Sequence, residues 1–185
     1  MKITVNPKGA AINQYLMKIA LLLGGYFIIE YMVHNYSATN ILFGLLNLPM
    51  MAITVILVYC IIRNLRDKLF DGKIPGLVAW TFGVQLMFFA GLIEAAFIYV
   101  YNEFIVPTNL VTVHDQLIAQ YEEVLTTLET TGIGSSMISM MQETIELLKQ
   151  TPVASAIETA ITMLSNDIFY GMIIMTFLAP IIRKK

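Results

Sequence analysis

Three acidic residues, Glu30, Glu94 and Asp167, stand inside long apolar stretches. A charged side chain in such a setting is costly and is a functional suspect by default. Glu30 and His34 are four residues apart and share a helix face. Asn166 and Asp167 precede Tyr170 by four and three residues, and Asn47 interrupts a further apolar stretch. These side chains form a candidate polar pocket, a hydrogen-bonded cluster centred on Glu94. No Lys or Arg lies close in sequence to any of the three acids. Carboxyl groups that repel one another away from water cannot all remain ionised unaided. At least one of them is therefore expected to be protonated at neutral pH, or the three share a cation.

The elements that must position these groups are four apolar runs, Ala11–Val33, Ile41–Ile62, Pro75–Tyr101 and Met163–Ile182. A bilayer-spanning helix needs about 20 mostly apolar residues, so each run is long enough to cross. Composition agrees: 57% of the 185 residues are hydrophobic and 13% charged, against about 25% charged in soluble domains. The expected fold is an all-α membrane protein of one integral domain, with spans at about 11–33, 41–62, 75–101 and 163–182. The first run exceeds the length of a signal-peptide core, about 7–15 residues, and reads as a retained helix. There is no basic stripe for nucleic acid. Cys60 is the single cysteine, which excludes an intrachain disulfide; near the end of the second run it reads as a buried thiol.

Basic residues set the expected orientation. Lys2, Lys8 and Lys18 belong to the N-terminal end, Arg63, Arg66, Lys68 and Lys73 to the connection after the second run, and Arg183, Lys184 and Lys185 to the C-terminal end. Only Lys149 lies elsewhere. Four spans put the three basic segments on one side, and the positive-inside rule makes that side cytoplasmic. Both termini are then inside, and the loop Asn35–Asn40 and the segment Asn102–Thr151 outside. Lys18 can snorkel to the interface along its aliphatic stem. Tyr59 and Trp80 at the inner boundary, and Tyr31, Tyr99 and Tyr101 at the outer, fit interfacial aromatic belts.

The external segment, about 107–151, is not a random loop. Leu110, Val113, Leu117, Tyr121, Val124 and Leu128 recur at helical spacing, and Gly132 and Gly134 suit a helix stop. A second helix follows, with Ser135 or Ser136 as N-cap and Met137, Met141, Ile145 and Leu148 on one face. Thr151-Pro152 then reads as the start of the last helix. The two external helices can close as an extracytoplasmic amphipathic hairpin, lie on the membrane surface, or pair with a partner. Their polar faces carry Asp115, Glu122, Glu123, Glu129, Glu143 and Glu146. That is the wrong sign for anionic headgroups. It reads as a solvated face, a docking surface for a basic partner, or a weak divalent-cation site without EF-hand spacing.

Within the membrane, Ala79, Gly83, Gly91 and Ala95 share one i+4 register, a small-residue stripe that lets helices approach closely. Gly24-Gly25 and Gly171 are further candidates for close contact, and Pro49 is expected to kink the second run. At about 1.5 Å rise per residue, Asn47 and Asp167 each lie about 24 Å from the inner boundary. Glu30 comes out at a similar depth and Glu94 at about 28 Å. Each helix thus places a polar group in the outer leaflet. The alternative is that Glu30 and Asp167 simply reach interfacial water.

No HExxH, GxSxG or P-loop pattern is present, and two histidines are too few for a histidine-rich metal site. No catalytic residue, metal or cofactor is indicated. Transporters often carry repeats and a midplane site; neither is visible, so a transport path would need an oligomer.

The chain resembles a bacterial family of four-helix membrane proteins, domain of unknown function forty-one ninety-nine. Three stretches carry the resemblance. The first is Gly72-Lys73-Ile74 leading into a Gly-rich helix. The second runs from Ala90-Gly91-Leu92-Ile93-Glu94 through Tyr101, followed by Phe104-Ile105-Val106-Pro107. The third is Thr151-Pro152 with Gly171 and a basic C-terminus. An Asp often precedes the family's Pro where this chain has Val106. The resemblance covers nearly the whole chain, implies a four-helix bundle and carries no catalytic residues. Its members often neighbour lipid-linked sugar transferases, which implies a role in envelope biogenesis.

The first expectation is therefore a non-enzymatic protein of the bacterial inner membrane. It would be embedded in the lipid bilayer and act as a partner or assembly subunit with another membrane protein or in a homo-oligomer. The second is a small proton- or cation-linked transport or sensing protein using Glu30, Glu94 and Asp167, and the third a lipid-binding accessory protein.

Overall fold

Long apolar stretches form helices because only intrahelical hydrogen bonds satisfy the backbone away from water. The computed structural model describes residues 7–37, 41–132 and 134–183. Six α-helices are present: α1 (Pro7–Ser37), α2 (Ile41–Leu69), α3 (Gly76–Val100), α4 (Asn109–Thr131), α5 (Ser135–Gln150) and α6 (Ala156–Ile182). A π-helical turn, Tyr101–Ile105, follows α3, and the described residues contain no strand. The helices α1, α2, α3 (with the π turn) and α6 are long and apolar enough to cross a membrane. Their outward faces are strongly apolar, with Leu22, Leu48, Leu77 and Phe177 among the exposed side chains. Contiguous apolar surface of this extent is rare on soluble monomers.

α1, α2 and α6 outrun the expected segments, whereas α3 lies within Pro75–Tyr101 and passes it only through the π turn. α2 continues to Leu69 and carries Arg63 and Arg66, and Pro49 lies inside it. At this basic end Arg66 donates to the Ile182 carbonyl at 3.1 Å, so a cation satisfies the C-terminal carbonyl of α6. Asn64 donates to the Tyr15 hydroxyl at 2.9 Å, tying α2 to α1. Lys18 is exposed, consistent with a snorkelling side chain. Lys2, Lys184 and Lys185 lie outside the described residues, as do Ala38–Asn40 of the first loop.

The core divides in two. At the basic end all four long helices contribute, including Leu16 and Leu23 of α1, Ile62 and Leu65 of α2, Phe82 and Leu86 of α3, and Met175 and Ile182 of α6. At the opposite end Tyr31, Ala95, Ile98 and Ala160 form a second cluster drawn from α1, α3 and α6 alone. The stripe of α3 faces inward: Ala79 is fully buried and Ala95 is buried. A Cβ on Gly83 would collide with the Met175 side chain, and one on Gly91 would lie 2.7 Å from Asp167 Oδ2. From α6, Gly171 returns the contact: a Cβ there would lie 2.7 Å from Met87 Cβ. Gly24 meets Ile93 in the same way, whereas Gly25 has nothing within 4 Å and is not a contact.

Several local expectations need correction. The last helix starts at Ala156, not after Thr151-Pro152. Ser155 is its N-cap, with a reciprocal capping box to Glu158 that satisfies two of the free N–H groups of a helix start. The N-cap of α5 is Gly134, not Ser135 or Ser136. Cys60 is exposed, because apolar character marks contact with lipid as well as with the core. Tyr31 is buried among the helices rather than facing outward.

α4 and α5 pair with each other. Lys149 binds Glu122 at 2.6 Å, and Gln142 donates to Glu129 at 3.4 Å, contacts that run antiparallel along the hairpin. Gly132 closes α4 in the left-handed conformation, φ 69°. Leu110, Val113, Tyr121 and Leu128 of α4, and Met141, Ile145 and Leu148 of α5, are at least partly buried. Leu117, Val124 and Met137, expected on the inner faces, point outward; Ile118, Leu125 and Ile138 take those inner positions.

The Gly171 contact is testable by thermal unfolding in detergent. Gly171→Val is expected to destabilise by about 1–3 kcal/mol through overpacking against Met87, and Gly25→Ala to be neutral or slightly stabilising. Equal tolerance at both positions contradicts the close α3–α6 contact.

Candidate functional site

Because the second core cluster contains no residue of α2, a space remains between α2 and the other three long helices in the half away from the basic end. A cavity of about 330 Å³ occupies it. Glu30, His34, Asn47, Glu94, Asn166, Asp167 and Tyr170 all line this cavity, together with Tyr31 and Thr54 and an apolar wall that includes Phe27, Met51, Val55, Met87, Met163 and Ile174. Four helices therefore bring seven residues, separated by up to 140 positions, to one place (Glu30 to Tyr170).

The polar groups are graded by burial. Glu94 is deepest, with 6% of its surface exposed. Glu30 and Asp167 are intermediate, and His34, Asn166 and Tyr170 are exposed. Asp167 sits over Gly91, one helical turn from Glu94, in space that any side chain at position 91 would fill. Glu94 and Asp167 face the same cavity across the α3–α6 contact. Two carboxylates cannot donate to each other, so a hydrogen bond between them requires a proton on one. Asp167 Oδ2 is buried and has no hydrogen-bond partner. Across the cavity the Thr54 hydroxyl donates to Glu30 Oε2 at 3.2 Å, and the Met50 carbonyl is equally near it.

No Lys or Arg is in the lining. The expected hydrogen-bonded cluster is only partly present. Among the described residues, no side-chain hydrogen bond ties His34, Asn47, Asn166 or Tyr170 to an acid, and these residues form walls and rim instead. Their spacing along each helix brings them to the cavity, while the width between helices keeps them apart.

A second polar group escaped the sequence reading. Asn102, 3% exposed, donates to the Tyr31 hydroxyl at 2.9 Å and to the Ile98 carbonyl at 2.8 Å. Asn109 donates to Asn102 Oδ1 at 2.8 Å and to Asn35 Oδ1 at 3.2 Å. Asn35 returns a bond to Asn109 Oδ1 at 2.9 Å. This chain of amides ties α1, the π turn and the first residue of α4 together, anchoring the hairpin beside the cavity. The only advance signal was an Asn at each of three element ends, which by type reads as ordinary turn and cap chemistry.

Asn109→Leu removes the link and leaves the buried Asn102 Oδ1 and the half-buried Asn35 amide without these partners, a cost of about 1–3 kcal/mol. Hydrogen exchange in α4 and α5 is expected to accelerate while α3 and α6 stay protected. Unchanged exchange in the hairpin contradicts the anchoring role.

No curated protein and no solved structure matches the chain. The model of a family described as "Protein of unknown function (DUF4199)" matches residues 16–184, which takes in the four long helices from Leu16 onward, the hairpin and every cavity-lining residue. By that match the chain is a member of the DUF4199 family, proteins of unknown function.

Proposed function

We propose that this is a non-enzymatic, multi-pass protein of the bacterial inner membrane that binds a proton or a cation at Glu30, Glu94 and Asp167, in the service of small-scale transport or sensing. The observation that carries the reading is the convergence of all three carboxyl groups on one cavity whose lining contains no Lys or Arg. A carboxylate away from water costs several kcal/mol unless it is paired. With no basic partner, a proton or an incoming cation must supply the compensation. The basic residues support an orientation with both termini in the cytoplasm, which places the cavity in the outer leaflet and the α4–α5 hairpin outside.

A second reading, as a partner or assembly subunit in envelope biogenesis, has a separate observation in its favour. Leu117, Val124, Met137, Met140 and Leu147 are exposed on the hairpin, beside acidic residues of which, among the described residues, Glu122 pairs with Lys149 and Asp115 lies 3.7 Å from His114. A basic, amphipathic partner would complement that surface. Crosslinking in native membranes is expected to capture a neighbour through the hairpin, and a strictly solitary monomer counts against this reading.

Reconstituted in liposomes, the protein is expected to support proton or cation movement, or saturable cation binding, that Glu94→Gln reduces at least tenfold. No flux, together with no effect of Glu94→Gln on any cation binding, removes the first reading. In a Cys60→Ser background, Ser139→Cys is expected to react with a membrane-impermeant maleimide from the periplasmic face and Lys68→Cys only after the membrane is opened. The reverse pattern overturns the orientation.

A further inference from the structure

We infer that the cavity is built for an organic ammonium ion carrying an apolar body, received sideways from the membrane between α2 and α6. This rests on the reading of the carboxyl groups as a proton or cation site, and it names the ligand class.

Size is the first argument. A proton or a bare metal ion needs no space of about 330 Å³, which falls in the range of small-molecule pockets, about 300–1,000 Å³. Among the described residues, no three His, Cys, Asp or Glu side chains converge closely enough to hold one metal ion. Glu94 and Asp167 lie along the α3–α6 seam and Glu30 faces Thr54 of α2, an arrangement that suits a larger cation whose charge is diffuse.

The walls supply the second argument. Phe27 and Tyr31 offer aromatic rings, whose faces attract alkylammonium groups. Met51, Met87 and Met163 offer flexible thioether side chains that adapt to irregular apolar bodies. A hydrated inorganic ion gains nothing from such walls.

Glu94 provides an independent pointer. It is more than nine-tenths buried and lines the cavity. Its carboxyl group shares the cavity with that of Asp167. The buried Asp167 Oδ2 has no partner at all. The titratable groups facing Glu94 in the cavity are Glu30, Tyr31 and His34 from α1 and Asp167 and Tyr170 from α6, while α2 contributes none. An arriving ammonium can therefore displace the proton held by the Glu94–Asp167 pair, one positive charge for another. The route follows from the packing: α2 joins the shared core at the basic end and takes no part in the second cluster.

The probe is benzyltrimethylammonium, compared with its uncharged isostere neopentylbenzene, in nanodiscs holding the full chain. The cation is expected to bind at least tenfold more tightly and to release protons into a weakly buffered medium, while the hydrocarbon releases none. Glu94→Gln combined with Asp167→Asn is expected to lower cation affinity tenfold or more. Equal affinity for cation and isostere in the native protein overturns the inference without recourse to any variant. So does cation binding undiminished by the double substitution.

Repeating the titration with and without phosphatidylethanolamine identifies the source of the ammonium. Competition by the aminophospholipid supports a lipid headgroup, and its absence supports a free amphiphilic amine. The infrared band of a protonated carboxyl group, removed by Glu94→Gln, reports on the underlying proton site separately. The band without selective cation binding overturns only the ligand class; no band at neutral pH overturns the proton site itself.

Discussion

Close approach of α3 and α6 is the constraint on which the rest of this structure depends. Gly83 leaves room for Met175, Gly91 for Asp167 and Gly171 for Met87. Association of helices in lipid gains little from a hydrophobic effect between them, so van der Waals contact along small residues has to supply it. The same contact places chemistry: the missing side chain at position 91 is what lets Asp167 lie one turn from Glu94. Packing and polarity are thus coupled in one seam, and a change that loosens the helices also separates the carboxyl groups.

The cavity follows from a difference in packing between the two ends. At the basic end, Ile62 and Leu65 of α2 are completely buried against the other long helices, and Arg66 reaches the last carbonyl of α6. Beyond Thr54, toward the start of α2, Leu45, Leu46 and Leu48 are exposed and the second core cluster closes without them. Tyr26 still holds the Met50 carbonyl at 2.8 Å, so the separation begins at a tethered point. The result is a space with acids on three of its helices and polar amide and hydroxyl groups on the fourth.

The amide chain Asn35–Asn109–Asn102–Tyr31 does for the hairpin what the glycine seam does for the spanning helices. Its members satisfy one another where α3 widens into a π turn, closed by the Val106 N–H to the Tyr101 carbonyl at 2.8 Å. Such turns often accompany functional positions. Here the turn carries the buried Asn102, so that the hairpin and the cavity wall at Tyr31 share one hydrogen-bonded network.

The sequence by itself determined the four long apolar helices, the helical hairpin and the grouping of Glu30, Asn47, Glu94 and Asp167 at a similar level along them. Those properties follow from run length, local periodicity and a constant rise per residue. It also marked the stripe Ala79–Gly83–Gly91–Ala95, because small side chains in one register are legible without a partner. It did not reveal which way Cys60, Leu117, Val124 or Met137 points. On a helix apolar all round, lipid and protein neighbours demand the same residue types, and on the hairpin two adjacent apolar stripes compete for one interface. Only the tertiary structure decided that all seven polar residues open into one cavity, that Asp167 rests on Gly91, and that three asparagines from separate elements meet. Each of these is a distance between helices, and such distances arise from mutual packing rather than from any one segment.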